Sequence, residues 1–189
     1  MPDADHQIVE ACQRGEPGAF EGLVRLHGPS VLGYLNRVCG DPEQAEDCFQ
    51  ETFARAYRNL HRAQPATFRA WLFRIATNSA IDGFRRRNRV KMTSLDQRLD
   101  EDSPGAAGRA IEDSLPGPAE AAAAQERVAA VQRAVTALPE GQRAALVLAY
   151  YQQMSYGEVA EVLGCSIGTV KTHMSRALAT LAKTLPDVE

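Results

Sequence analysis

The 189-residue sequence has little of several features that mark common protein classes. It has four cysteines (Cys12, Cys39, Cys48 and Cys165), none of them in a CxxC pair, and no histidine stands at zinc-finger spacing. No stretch approaches the ~20 apolar residues that a membrane-spanning helix needs. The N-terminus is acidic and lacks the basic start and apolar centre of a signal peptide. We therefore expect a cytoplasmic protein whose cysteines act as small hydrophobes, with no metal site and no membrane insertion.

Catalytic motifs are missing as well. The sequence contains no HExxH, P-loop or GxSxG pattern and no cluster of carboxylates with histidine. We therefore expect no enzyme activity, no catalytic residue and no cofactor. A small helical nuclease is an open alternative, and cleavage that depends on a divalent metal would reveal it. The net charge of −3 does not by itself indicate a nucleic-acid partner, so the distribution of charge has to decide.

Residues 153–183 have the pattern of a helix–turn–helix. Ser155 followed by Glu158 predicts a capping box at the start of one helix, and Gly164 predicts its left-handed end. Ser166 is placed to cap a second helix, whose apolar residues recur at helical spacing. These are Ile167, Val170, Met174, Ala177, Leu178 and Leu181.

The opposite side of that second helix is polar and cationic and carries no acidic residue. Its side chains can reach a base edge or a phosphate in a DNA major groove. The alternative is an ordinary helical hairpin with a solvated face. The candidate residues for upstream DNA contact are Ser166, Thr169, Lys171, Thr172, Ser175 and Arg176.

Residues 1–90 read as helices throughout. Ile8 to Cys12 mark a first helix, and a second starts near Phe20, breaks at Gly28-Pro29 and continues from Val31 to Cys39. The third, residues 42–60, begins at a predicted Asp41 cap that Gln44 completes as a capping box. We expect Phe49, Phe53, Ala56, Tyr57 and Leu60 to form its buried stripe.

The charge on residues 42–91 changes along the chain. The first half of the third helix is acidic and its second half is basic, which compensation of the helix dipole would also explain. After a loop at 61–67, residues 69–91 carry seven bases against one acid, interleaved with aromatics. Such a cluster suits single-stranded DNA, because cations follow the phosphates and flat rings take unstacked bases. Trp71 fits either that role or the apolar core.

Residues 92–120 read as a linker between two helical domains. They contain Pro104, Pro116 and Pro118 and have no apolar period. From Lys91 to Glu126 there are eight acids and three bases. We therefore expect a flexible acidic linker that lets the flanking domains sample many separations. Helix resumes near Pro118, with Val128, Val131, Val135 and Leu138 expected to face inward.

Two stretches resemble the sigma-70 family of bacterial RNA polymerase subunits, and the extracytoplasmic-function (ECF) group in particular. LPEGQRAALVLAYYQQMSYGEVAEVLG with SIGTVKTHMSRALATL is similar to the domain that recognises the upstream (minus thirty-five) element. DPEQAEDCFQETFARAYRNL resembles the helix that docks on core polymerase, and the basic helix after it resembles the one that binds the downstream (minus ten) element. The two signatures stand in the family's order, with a linker between them.

The resemblance implies an all-α fold with two small domains. Residues 1–91 would be the region 2-like domain, residues 92–120 the linker, and residues 121–189 the region 4-like helix–turn–helix domain. Polymerase contact would fall on Asp47, Gln50 and Glu51. Downstream contacts would come from the loop that captures a flipped base and from the basic helix: His61, Arg62, Gln64, Thr67, Trp71, Arg85, Arg86 and Arg87.

The resemblance also implies partners. These are core RNA polymerase, promoter DNA in double-stranded and melted form, and an anti-sigma factor. The implied function is that of an alternative sigma factor, which directs promoter-specific initiation while polymerase supplies catalysis. A stand-alone helix–turn–helix regulator is the alternative, and it would bind its DNA selectively without polymerase.

Overall fold

The computed structural model describes the backbone of residues 2–94 and 118–185, and residues 95–117 of the predicted linker lie outside it. Within these two ranges every regular element is helical. Two single turns of 3-10 helix, Leu60–Arg62 and Pro65–Thr67, connect α3 to α4. A π-helical turn, Val147–Tyr151, follows α6. The α-helices are α1 Pro2–Gln13, α2 Ala19–Cys39, α3 Pro42–Asn59, α4 Phe68–Ser94, α5 Pro118–Thr136, α6 Glu140–Leu146, α7 Tyr156–Leu163 and α8 Ile167–Thr184.

Helix α2 is continuous, so the predicted break at Gly28-Pro29 is wrong. Proline removes one N–H from the backbone ladder and crowds the preceding turn. That loss is offset because α2 buries side chains on both sides of Pro29, including Leu23 and Leu35, at 0% exposure each. The helix ends at Gly40, whose φ of +70° explains why glycine stands there.

The N-terminal domain is a bundle in which α2, α3 and α4 pack around aromatic side chains. Tyr34 and Phe73 meet edge to face, with ring centroids 5.3 Å apart, and the Tyr34 hydroxyl shares a hydrogen bond with Thr77 at 2.7 Å. Burial raises the pKa of Tyr34 far above its usual value. One member of the expected α3 stripe is wrong: Tyr57 is 66% exposed, although its ring meets that of Phe20 at 73° with centroids 4.9 Å apart.

The start of α3 is capped as predicted, but in simpler form. The Asp41 carboxylate accepts the backbone N–H of Glu43 at 3.1 Å. Gln44 does not complete a capping box, because its side-chain oxygen accepts a hydrogen bond from Arg87 of α4. Arg87 also donates to Asp41 at 2.9 Å, so the basic end of α4 is held against the start of α3.

In the C-terminal domain α7 and α8 form the helix–turn–helix on a base of α5 and α6. The Ser155–Glu158 capping box and the left-handed Gly164 are present as predicted. Val170, Met174 and Ala177 carry the buried stripe of α8. Ile167, Leu178 and Val128 were expected inside, but about half of each is exposed, because they lie at the margins of their stripes.

The two domains are in contact, which corrects the expectation that their separation would be free. Helix α7 packs on α4, and α2 contacts α5, α6 and the π-helical turn. Buried residues of both domains form one continuous apolar cluster. Chain composition indicated a loose linker, but it could not indicate that two apolar faces, one on each domain, match.

Candidate nucleic-acid interface

The outward face of α8 is set up by a local cap and by an apolar stripe that packs on the core. The Ser166 hydroxyl accepts the backbone N–H of Thr169 at 3.1 Å and fixes the first turn of the helix. Val170 and Met174 anchor the opposite side in the core. The predicted contact residues all lie on the exposed side, in the order Ser166, Thr169, Lys171, Thr172, Ser175 and Arg176.

This exposed face suits an anionic groove. Two cations, Lys171 and Arg176, stand among hydroxyl side chains, and no acidic residue lies on α8. The Thr172 hydroxyl donates a hydrogen bond to the Gly168 carbonyl at 3.0 Å, which fixes the rotamer of Thr172. His173, on the flank of α8, packs closely against Gly141 of α6. A Cβ added at Gly141 would lie only 3.2–3.3 Å from the nearest ring atoms of His173, so the flank of the helix is also fixed.

The second site is a pocket in the N-terminal domain between the end of α3, the 3-10 turn and α4. Its volume is about 260 Å³. Trp71 is half-buried beside Phe68, with ring centroids 5.6 Å apart, so it serves both the core and the pocket wall. The lining combines an aromatic face with amide and guanidinium donors: Arg55, Asn59, Arg62, Trp71, Ile75 and Asn78.

The predicted downstream residues divide between two places. Arg62 and Trp71 line the pocket, whereas His61, Gln64 and Thr67 stand exposed on the loop beside it. Arg85, Arg86 and Arg87 lie four turns farther along α4, about 20 Å away at about 1.5 Å per residue. Arg85 and Arg86 are exposed, and Arg87 is held by Asp41. The residues predicted to form one cluster therefore lie in two places, the pocket and the basic end of α4.

A brace from α1 shapes the loop, and sequence patterns did not reveal it. The Gln13 side-chain amide donates to the carbonyls of Leu60 at 3.0 Å and Ala63 at 2.8 Å. His27 packs over Phe68 at 5.3 Å between ring centroids and lies 3.4 Å from Asp5. Burial lowers the pKa of His27, so the ring is neutral where it supports the loop.

The predicted polymerase-contact residues stand on the outer side of α3. Asp47 and Gln50 are exposed, whereas Glu51 is already engaged. Its carboxylate accepts from Arg55 at 2.6 Å, and Arg55 also reaches Asp82 of α4 at 3.3 Å. The hydrogen bond to Glu51 raises the pKa of Arg55. Because Arg55 also lines the pocket, one cation connects the outer side of α3 to the pocket wall.

The structure also brings together the Cys39 and Cys48 side chains, one at the end of α2 and one on α3. Both are buried, and their interaction raises the pKa of Cys39 and lowers that of Cys48, while the Cys48 thiol donates to the Ser79 carbonyl at 3.6 Å. Across residues 2–94 and 118–185 the cysteines are free, and no three metal-ligating side chains converge. No helix in those ranges is both long and apolar enough to cross a membrane.

Comparison with known proteins matches both domains. The family model described as Sigma-70 region 2 covers residues 23–90, and the one described as Sigma-70, region 4 covers residues 129–181. The RNA polymerase sigma-H factor of Pseudomonas aeruginosa is 34% identical, covering 97% of this chain and 94% of its own. The ECF RNA polymerase sigma factor SigW of Bacillus subtilis is 30% identical, covering 95% and 96%.

Solved structures agree with this match. The structure of CnrH in complex with the cytosolic domain of CnrY has a TM-score of 0.65 and 30% sequence identity, over 95% of this chain and 96% of that one. CnrH of Cupriavidus metallidurans is itself described as an RNA polymerase sigma factor. Two family models in the expected order, together with relatives matched over nearly their whole length, establish that this chain belongs to the sigma-70 family as an ECF sigma factor, an alternative sigma factor that directs RNA polymerase to promoters.

Proposed function

We propose that the two sites described above divide promoter recognition between them. The exposed face of α8 reads the upstream element as duplex DNA, and the pocket beside Trp71 takes a base flipped from the melted downstream element. Residues 1–91 then form the region 2-like unit and residues 121–189 the region 4-like unit. The observation that carries this proposal is the contrast in shape: a convex cationic helix on one domain and a concave aromatic pocket on the other.

The pocket has the chemistry that an unpaired base requires. A base needs a flat apolar surface and hydrogen-bond partners along its edge, and Trp71 with Asn59 and Asn78 supply these. Arg62 stands at the same wall, where it can neutralise the neighbouring phosphate. His61, Gln64 and Thr67 at the exposed rim select among bases, and Arg85, Arg86 and Arg87 follow the strand farther along α4.

Core polymerase binds the outer side of α3. Asp47 and Gln50 are free to contact a basic surface, and Glu51 contributes through its pair with Arg55. The protein works in the cytoplasm, where polymerase and DNA are, and it has no catalytic activity of its own. CnrH is known in a complex with the cytosolic domain of CnrY. By analogy, an anti-sigma factor holds this protein inactive.

The test separates the two surfaces by single substitutions. Reversal of charge by Asp47→Lys should lower the affinity for core polymerase and leave the helicity unchanged, because the side chain is exposed. Trp71→Ala should leave core binding intact and reduce strand opening on a promoter, measured by permanganate reactivity of unpaired thymines. Glu21→Lys, an exposed charge reversal on α2, is the matched control. Unchanged core binding by Asp47→Lys would remove this face from the proposal.

A further inference from the structure

The loop that borders the pocket is fastened to α1 by one side chain. The amide nitrogen of Gln13, Nε2, donates one hydrogen bond to the Leu60 carbonyl at 3.0 Å and another to the Ala63 carbonyl at 2.8 Å. A carboxamide nitrogen carries two N–H groups, so these two bonds use both of its donors. Gln13 therefore holds the backbone of the loop at two points, and we call this pair of bonds the brace.

The two carbonyls lie where α3 stops, and this is why they need a donor from elsewhere. The last carbonyl groups of a helix have no partner within it. The Leu60 carbonyl accepts the Ala63 N–H at 3.0 Å within the 3-10 turn, and Gln13 supplies its second donor. Leu60 and Ala63 are both buried, at 6% and 5% exposure. Without Gln13, carbonyl groups at the edge of the core would depend on water for these bonds.

The residues between the two attachment points are the ones that face the DNA site. Leu60 and Ala63 are buried, whereas His61 and Arg62 between them are exposed, and Arg62 lines the pocket together with Trp71. A single 3-10 turn has few backbone hydrogen bonds of its own and poorer bond geometry than an α-helix. The direction in which His61 and Arg62 leave the backbone is therefore fixed largely from outside the turn.

Helix α1 is itself firmly seated, so the brace has a rigid support. Val9 is fully buried in the core. Ile8 packs so closely on α2 that a Cβ added at Gly22 would lie only 3.0 Å from the Ile8 Cδ1. A displacement of the loop would therefore have to stretch the brace, because α1 cannot follow it without leaving the core.

The opposite end of α1 supports the other end of the loop. Asp5 lies 3.4 Å from Nε2 of His27, and the His27 ring packs over Phe68 with 5.3 Å between centroids. Phe68 is the first residue of α4 and stands directly after the loop. The loop is thus held at its beginning by Gln13 and at its end by Phe68, and α1 contributes to both supports.

We propose that Gln13 is a positioning residue for recognition of the downstream promoter element. Through the brace it sets His61 and Arg62 against the unpaired base and its phosphate, so that α1 helps to determine which base the pocket accepts. A loop held in one conformation presents one pattern of donors, whereas a loop that samples several conformations accepts several bases. The inference rests on the proposed function of the pocket and extends it to a residue that does not line the pocket.

The chemistry of the brace gives a sharp test substitution. Gln13→Glu keeps the shape of the side chain, but an ionised carboxylate has only acceptors and would face two carbonyl oxygens. Gln13→Lys restores N–H donors on a flexible stem. Gln7→Glu makes the same amide-to-carboxylate change at an exposed position of the same helix and is the matched control.

Hydrogen exchange of the free, full-length protein tests whether the brace orders the loop. In Gln13→Glu the amides of residues 60–67 should exchange roughly three- to tenfold faster than in Gln7→Glu, because the turn loses two hydrogen bonds to its carbonyls. Gln13→Lys should recover part of the protection. Equal exchange in Gln13→Glu and Gln7→Glu would overturn the proposal at its structural step.

A promoter library with a randomised downstream element, transcribed by the holoenzyme, tests the effect on recognition. Trp71→Ala identifies the position that the pocket reads, as the one whose base preference is lost. Gln13→Glu should lower the preference at that same position roughly three- to tenfold and leave the preferences in the upstream element unchanged. Gln13→Lys should regain preference, and affinity for core polymerase should be the same in all three Gln13 and Gln7 variants.

The outcomes separate the brace from the pocket. If Trp71→Ala removes a preference and Gln13→Glu gives the same profile as Gln7→Glu, the positioning role is overturned and the proposed function of the pocket stands. If Trp71→Ala changes no preference, both fail together. A uniform fall in transcription from every promoter in Gln13→Glu would show that the brace only stabilises the domain, and this too would overturn the inference.

Discussion

The two proposed recognition sites of this sigma factor are built in different ways. The α8 face depends on contacts within one short stretch: the Ser166 cap, the apolar stripe behind it and the Gly164 turn before it. The pocket in the N-terminal domain depends on three separate helices and on Gln13, which braces a loop 47 residues away. A site of the first kind tolerates change elsewhere in the fold, whereas a site of the second kind depends on the whole domain.

This contrast predicts where substitutions will spread their effects. Damage to the support of the pocket should cost stability and function together. Damage to the α8 face should cost recognition alone.

Phe68→Ala should be the most damaging substitution. The ring is 0% exposed and supports Trp71 and the loop through its contact with His27. Its removal should cost about 3–5 kcal/mol of unfolding free energy. Urea denaturation followed by circular dichroism measures this loss. Tyr57→Ala removes an exposed aromatic from the same bundle and should cost far less. Equal losses in the two variants would contradict the assembled character of the site.

Arg176→Ala should change recognition without changing stability. The side chain is exposed on α8, opposite the buried Met174 and Val170. If it reads a base edge, its loss should cost about 1–3 kcal/mol in binding the upstream element and relax preference at one position. A promoter library scored with the holoenzyme measures this. Uniform loss over all sequences would indicate a phosphate contact, and Lys183→Ala at the end of the same helix is the control.

Ser155→Ala tests whether the helix–turn–helix is fixed locally. The Ser155 hydroxyl accepts the Glu158 N–H at 3.3 Å, and the Glu158 carboxylate accepts the Ser155 N–H at 2.8 Å. Loss of the cap should cost about 1 kcal/mol of unfolding free energy. Ser175→Ala, which removes an exposed hydroxyl outside any cap, should cost less in the same urea titration. A cost at Ser155 no greater than that at Ser175 would show that tertiary packing alone fixes α7.

The smallest effect should be the pH dependence of the same cap. Hydrogen bonds from Ser155 lower the pKa of Glu158 below its ordinary value. Its contribution to stability is therefore complete above the unfolded pKa of about 4.3 and is lost as the pH falls through the lower, folded pKa. The stability difference between the wild type and Glu158→Gln should be constant from neutral pH to about pH 5 and then shrink. A difference that grows on acidification would contradict the assignment.

The sequence predicted local features well and long-range features poorly. The caps at Asp41, Ser155 and Ser166 depend on neighbouring residues, so their side-chain chemistry identified them. The break at Pro29 was a wrong prediction because a local rule was outweighed by burial along α2. The exposure of Tyr57 and Leu178 was not predicted, because a periodic apolar stripe does not show how much of its width the neighbouring helices cover.

The features that sequence patterns did not reveal all involve distant residues. The Gln13 brace and the contacts of Gln152 with Ser30 of α2 and Arg69 of α4 join positions that no spacing rule connects. Gln152 lies between two tyrosines and a turn, where its composition resembles that of any polar loop residue. Its role appears only when α2 and α4 of the other domain are placed beside it.

The most direct test of the whole account compares promoter selectivity with and without core polymerase at near-physiological salt. We expect weak, salt-sensitive and poorly selective binding by the isolated protein, because phosphate contacts dominate when the two sites do not engage both elements together. With core polymerase, binding should become tight and should require both elements at their proper spacing. Equal sequence selectivity in the two conditions would contradict it and would favour a regulator that acts without polymerase.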